Sequence, residues 1–189
     1  METYLHIVRF FVLGCFYVAI SYTFVAWKYA AYFKVPEALR PLLVFMHFFV
    51  VVSNIVGFIA FILLDMRKPP TAAISWTGLA IAILGVALLL WSIFTLGAAT
   101  FIPPPNGKLI TTGPFKITAH PIYFGGAMAA FGLAVWSASL LALAYALVIT
   151  LMLIIVSQVE EKGLVEEFGN SYLNYKERTW LSRCLRRFT

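Results

Sequence analysis

Apolar residues run through this chain in long blocks, and the blocks are interrupted at only a few places. The first block is Leu5–Trp27, followed by Lys28, Lys34, Glu37 and Arg40. The second, Leu42–Leu64, is closed by Asp65, Arg67, Lys68, Pro69 and Pro70, and the third is Ala73–Leu96. Each exceeds the ~20 residues that a helix needs to cross ~30 Å of hydrocarbon. Trp27, Trp76 and Trp91 stand near their ends, where aromatic side chains settle at the membrane–water interface. Two further apolar stretches, Pro121–Val135 and Leu140–Val156, are separated only by Trp136-Ser137-Ala138-Ser139. Pro121 suits the first turn of a helix, where its missing N–H costs nothing. The pattern predicts a tight helical hairpin whose first arm is short for a full crossing unless His120 lies below the membrane surface.

Two segments break this pattern. Gly97–Ala119 is the longest interruption and carries Pro103-Pro104-Pro105, Asn106-Gly107 and Gly113-Pro114, all turn signals. A connection of this length in a compact domain is commonly functional, and its aromatic and β-branched content argues for order. The tail, Ser157–Thr189, begins with Glu160, Glu161, Glu166 and Glu167 and ends with Lys176, Arg178, Arg183, Arg186 and Arg187. Acid first and base last suits a helix dipole. Phe168, Tyr172 and Tyr175 recur at helical spacing, which predicts an amphipathic segment broken or bent at Gly169.

Composition agrees with the pattern. Of 189 residues, 62% are hydrophobic and 12% charged, against about half and a quarter in soluble domains. The expected fold is therefore an all-α integral membrane protein with about five transmembrane helices, the last two a tight hairpin, and a cytosolic amphipathic C-terminal helix. It forms one membrane domain over 1–189, with three spans in 1–96. Residues 1–33 stay apolar well beyond the core of a signal peptide. The net charge is +6. Five spans place most Lys and Arg on the side of the 97–119 loop and the tail. The positive-inside rule makes that side cytosolic and the N-terminus opposite. The same charge suits anionic membrane lipid, and no soluble basic domain is present to bind nucleic acid. Cys15 and Cys184 lie far apart, and His6, His47 and His120 form no metal-ligand spacing, so no metal is expected.

Candidate chemistry gathers at the interruptions. Two carboxylates, Glu160 and Glu161, at the end of a span oppose both the helix dipole and the charge bias of that side. Acids at a membrane edge often mark a site. His120, before a helix-opening proline, and nearby backbone N–H groups can hold a carboxylate. Tyr123 lies one turn on, on the same face. The His–Tyr pair thus offers donors at one end of a pocket and Glu160 an acceptor at another, an arrangement suited to an amino-acid zwitterion bearing an extra positive charge. Gly125-Gly126 allows close approach of a ligand or, in its plainer reading, of a neighbouring helix. No residue stands out as a general base.

Lys108–Phe115, His120-Pro121-Ile122-Tyr123 with its glycines, and Glu160-Glu161 followed by Leu164, Phe168-Gly169, Tyr172 and Tyr175 together resemble the isoprenylcysteine carboxyl methyltransferases and the related membrane phospholipid methyltransferases. The resemblance covers 95–175. It implies S-adenosylmethionine as cofactor, held within 97–189 by Gly107, Lys108, Leu109, Ile110, Phe115, His120, Pro121, Ile122, Tyr123, Glu160 and, in support, Glu161. It also implies a lipophilic acceptor entering from the bilayer. The chain departs from the pattern at Ala119 and Val156, where these carboxyl methyltransferases carry arginine. An amine, thiol or other uncharged lipid-soluble acceptor is then as well expected as a prenylcysteine carboxylate. The alternatives are a membrane reductase of the sterol-reductase type and a non-catalytic membrane scaffold.

Overall fold

A computed structural model describes residues 36–65, 71–97 and 108–185, with isolated positions between 13 and 24. Every regular element among the described residues is helical. A short 3-10 turn, Glu37–Leu39, leads into α1 (Arg40–Leu64). Then follow α2 (Ala72–Leu96), α3 (Pro121–Ser137), α4 (Leu140–Phe168), α5 (Asn170–Arg178) and α6 (Trp180–Leu185).

Three described helices are long and apolar enough to cross a membrane: Val44–Leu64, Ala72–Leu96 and Leu140–Phe168. α3 is apolar but shorter, with 17 residues, or ~25 Å at helical rise. The expected first span, Leu5–Trp27, falls largely outside the described residues. Large apolar side chains on the outer faces are openly exposed, Phe94 to 80% and Leu63 to 71%, with Phe45, Trp76 and Leu84 similar. A contiguous surface of this kind suits lipid, not water.

Each boundary has a local cause. The Thr71 side chain accepts from the Ile74 N–H at 3.3 Å and caps α2, and Gly97 ends that helix at φ +59. Pro121 opens α3. The hairpin turn is two residues: Ala138 at φ +50, then Ser139, whose hydroxyl accepts from the Ala142 N–H at 3.0 Å. The expected hairpin is present, but its second arm differs from expectation. α4 does not stop near Val156. It continues for 29 residues, ~43 Å, to Phe168. Gly169, at φ +52, makes the break, and beyond it the tail folds as two short helices. The 157–168 stretch has no helix breaker, so the polar residues ride outward on the same rod.

α2 and α3 pack antiparallel with almost no side chain between them. A Cβ on Gly85 would meet the Ala129 nitrogen at 2.4 Å, and one on Gly132 the Ala82 nitrogen at 2.4 Å. Gly78 likewise faces the Trp136 backbone, and Gly125 the Gly85 carbonyl. Glycines seven residues apart on both helices let the two backbones touch, as small residues do between membrane helices.

The second core joins α1, α3 and α4 through Phe58, Phe61, Ile62, Ala130, Ala134, Ala142, Tyr145 and Ala146. Within it the Tyr145 hydroxyl donates to Asn54 at 3.4 Å, and the Asn54 amide donates to the Val50 carbonyl at 2.8 Å. At the far end Asp65, just past α1, accepts from the Leu141 N–H at 3.1 Å and from the Ser139 hydroxyl at 3.4 Å. A carboxylate at the start of α4 satisfies free N–H groups and complements the dipole. Asp65→Ala is expected to cost about 1–2 kcal/mol, with Asp65→Asn recovering part of it. Thermal unfolding midpoints in detergent would report both.

Candidate functional site

The site is assembled where the loop before α3 meets the polar end of α4. Thr112 is extended, and Gly113 turns the chain at φ +59. A Cβ on Gly113 would lie 3.4 Å from the Thr95 hydroxyl oxygen and 3.5 Å from the Trp91 ring nitrogen. The loop therefore rests on the last turns of α2. The residues Gly113–Lys116 form a 3-10 turn closed by Phe115 N–H to Thr112 O at 3.2 Å and Ile117 N–H to Pro114 O at 2.9 Å. Pro114 and Phe115 are buried in it. The Thr118 hydroxyl accepts from the His120 N–H at 3.4 Å, and Pro121 starts the helix.

His120 and Glu160 face each other, with Nδ1 to Oε2 at 3.6 Å. Their side chains are 20% and 27% exposed, which leaves the pair shielded but reachable. Tyr123 lies beside His120 with ring centroids 5.7 Å apart and planes inclined by 12°. The expectation that Glu160 lies at the other end of a pocket from His120 is corrected: the long α4 rod brings its carboxylate directly to the imidazole. Tyr123 also packs into an apolar cluster with Phe24, Val50 and Val156. Val156, one helical turn before Glu160, is only 1% exposed.

Glu161 turns elsewhere. Adjacent residues on a helix project about 100° apart. Its carboxylate accepts from the Tyr172 hydroxyl at 3.0 Å and pairs with Lys176. Burial, and then the Glu161 charge, pushes the Tyr172 phenol above its usual range, so it stays a donor. Tyr175 donates its hydroxyl to the Phe115 carbonyl at 2.8 Å, and the Leu181 N–H donates to the Ile117 carbonyl at 2.9 Å. Thr179, buried between α5 and α6, accepts from the Ser182 N–H at 3.4 Å.

Of the residues proposed from sequence, the structure groups His120, Tyr123 and Glu160. Pro121 is buried at the start of α3 and Ile122 is half-buried. Phe115 sits in the 3-10 turn, tied to the tail. Lys108, Leu109 and Ile110 lead into the turn without regular structure, Lys108 exposed and the other two half-buried. Gly107 lies outside the described residues. Missed from sequence were the partners of Tyr172, Tyr175 and Leu181. The helical spacing of the two tyrosines was visible, but the Tyr175 and Leu181 contacts reach back some sixty residues and leave no local signal, while the Tyr172–Glu161 contact spans eleven residues across the break at Gly169.

This set of groups suits an amino-acid zwitterion carrying an added cation. The first N–H groups of α3 have no helical partner and favour a carboxylate. The Glu160 carboxylate favours an ammonium or sulfonium.

A family model described as phospholipid methyltransferase matches residues 73–171, just over half of the chain. A methanethiol S-methyltransferase of Pseudomonas deceptionensis is 38% identical over 77 residues. That stretch is 39% of this chain but only 28% of the relative, so the chain spans well under half of the curated relative's length. No solved structure matches.

Proposed function

This chain belongs to the phospholipid methyltransferase family, and from that premise we propose that it transfers a methyl group from S-adenosylmethionine to an uncharged, lipophilic acceptor arriving from the bilayer. The observation that carries this is the His120–Glu160 pair at the N-terminus of α3, a ready cradle for the methionine end of that cofactor. Phe115, Pro121, Ile122 and Tyr123 complete its wall in this reading, with Lys108–Ile110 at its entrance; Gly107 is assigned to the cofactor from the sequence alone.

S-adenosylmethionine supplies an electrophilic methyl on a positively charged sulfur. Glu160 holds the ammonium or balances the sulfonium charge, and the α3 N–H groups take the carboxylate. His120 keeps Glu160 in place, while Tyr123 shields the pair from the membrane side. Positioning does most of the work in such a transfer: a neutral amine attacks the methyl through its lone pair and needs no base, whereas a thiol releases its proton to solvent as its sulfur takes the methyl and the donor leaves as neutral S-adenosylhomocysteine. On the apolar side, Val156 is sealed against Tyr123 and Val50, where a charged acceptor would find no counterion. That favours a thiol or neutral amine over a carboxylate, in keeping with the name of the thiol-methylating relative.

The reading makes 1–96 the membrane frame and 97–189 the cofactor-binding region. The site faces the cytosol, since the loop and tail carry Lys108, Lys116, Lys162, Lys176, Arg178 and Arg183. Calorimetric titration of the purified protein with S-adenosylhomocysteine is expected to give saturable, one-to-one binding. No binding, or saturable binding of a nicotinamide dinucleotide instead, would overturn the proposal.

A further inference from the structure

The turn at Gly113–Lys116 has no fold of its own beyond two short hydrogen bonds, yet it leads within four residues to His120. It is held from both sides. On one side Gly113 rests against Thr95 and Trp91 of α2. On the other, the tail takes two alternate carbonyls of the loop: Phe115 O from the Tyr175 hydroxyl at 2.8 Å, and Ile117 O from the Leu181 N–H at 2.9 Å. The tail is itself fixed to α4 by the Tyr172–Glu161 hydrogen bond and the Lys176–Glu161 pair. A closed circuit therefore runs from α4 through α5 to the loop, then to His120 and back to Glu160 of α4. The two adjacent acids divide its ends: Glu161 closes the structural end, and Glu160 meets His120. All three tail residues, Tyr172, Tyr175 and Leu181, lie beyond the 73–171 stretch that the family model matches.

We propose that Tyr175 is a positioning residue of the methyl-donor site, fixing through the Phe115 carbonyl the loop that sets His120 against Glu160. The proposal rests on the cofactor reading given above. The Tyr175 hydroxyl is engaged by the Phe115 carbonyl, so its action on His120 and Glu160 runs through the loop. Burial pushes its phenol above the ordinary range, so it remains a donor throughout the pH range in which the protein would work. The same view assigns Glu161 to holding the tail and leaves cofactor contact to Glu160.

The test uses full-length protein in detergent or nanodiscs, with S-adenosylhomocysteine as the probe. Tyr175→Phe removes one hydroxyl and nothing else. Calorimetry is expected to show the dissociation constant raised about five- to tenfold, the effect of losing one hydrogen bond's worth of ordering. Hydrogen exchange should quicken at the amides of 115–120, with the thermal midpoint little changed. Asp65→Ala is the control. It loosens the bundle ~28 Å away along α4 and should lower the midpoint while leaving affinity intact. Wild-type and Tyr175→Phe affinities within twofold of each other would overturn the inference while leaving the cofactor reading in place. So would a weakened affinity that Asp65→Ala reproduces. A wild-type protein that fails to bind S-adenosylhomocysteine overturns the cofactor reading and this inference with it.

Discussion

Gly125→Ala should destabilise the protein markedly, while the same change at the next residue, Gly126→Ala, should be neutral or slightly stabilising. The two glycines are neighbours in sequence and opposites in environment. A methyl on Gly125 would come within 2.8 Å of both the Gly85 carbonyl oxygen and the Leu89 nitrogen, which are backbone atoms of α2 and cannot swing aside. α2 and α3 would have to part, and forcing extra volume into such a contact costs about 1–3 kcal/mol. A methyl on Gly126 meets only the end of the Leu89 side chain, at 3.6 Å, an ordinary contact. It would also gain helix propensity, up to about 1 kcal/mol. Gly132→Ala should behave like Gly125→Ala, since its neighbours are the Ala82 and Gly78 backbones. Fluorescence-detected thermal unfolding on size exclusion would separate the three variants. Equal midpoints for Gly125→Ala and Gly126→Ala would mean that the helices do not meet as closely as described.

The second large effect concerns the paired polar groups of the site. Glu160→Gln keeps the shape and removes the charge, and His120→Ala removes the group that faces it across 3.6 Å. A hydrogen bond to a charged group contributes about 1.5–3 kcal/mol. Each variant should therefore bind S-adenosylhomocysteine about 10- to 100-fold more weakly. The double variant should lose less than the sum, because the two side chains share one contact. Glu166→Gln and Glu167→Gln, on the exposed part of α4, should bind as the unaltered protein does. Wild-type affinity in both Glu160→Gln and His120→Ala would remove the pair from the cofactor site.

What could be foreseen from the sequence depended on whether its cause was local. Hydrophobic runs fixed α1, α2, α3 and the start of α4 to within a residue or two, because lipid demands continuous apolar helix. Pro121 and Gly169 marked their breaks correctly, since the constraint lies in those residues themselves. The end of α4 was misplaced because polarity was taken for a boundary. A helix can run on past its apolar stretch without ending, and residues 157–168 do so. For the site, His120, Tyr123 and Glu160 could be named, but their mutual distance could not, as it depends on how far the α4 rod extends. Gly125 and Gly126 were indistinguishable until a neighbouring backbone was in view. The role of Tyr175 was hidden entirely, because its partner is a main-chain carbonyl and any residue type at 115 would offer one.

The tail's hold on the loop also sets an order of events during synthesis. Phe115 leaves the ribosome sixty residues before Tyr175, which at about 5–20 residues per second is an interval of several seconds. During that time α1, α2 and the hairpin can insert and pack, since their contacts lie wholly upstream. The loop has only the end of α2 to rest on until α5 and α6 emerge. A nascent chain halted before residue 175 would hold its long helices but lack the tail's grip on the loop that carries His120.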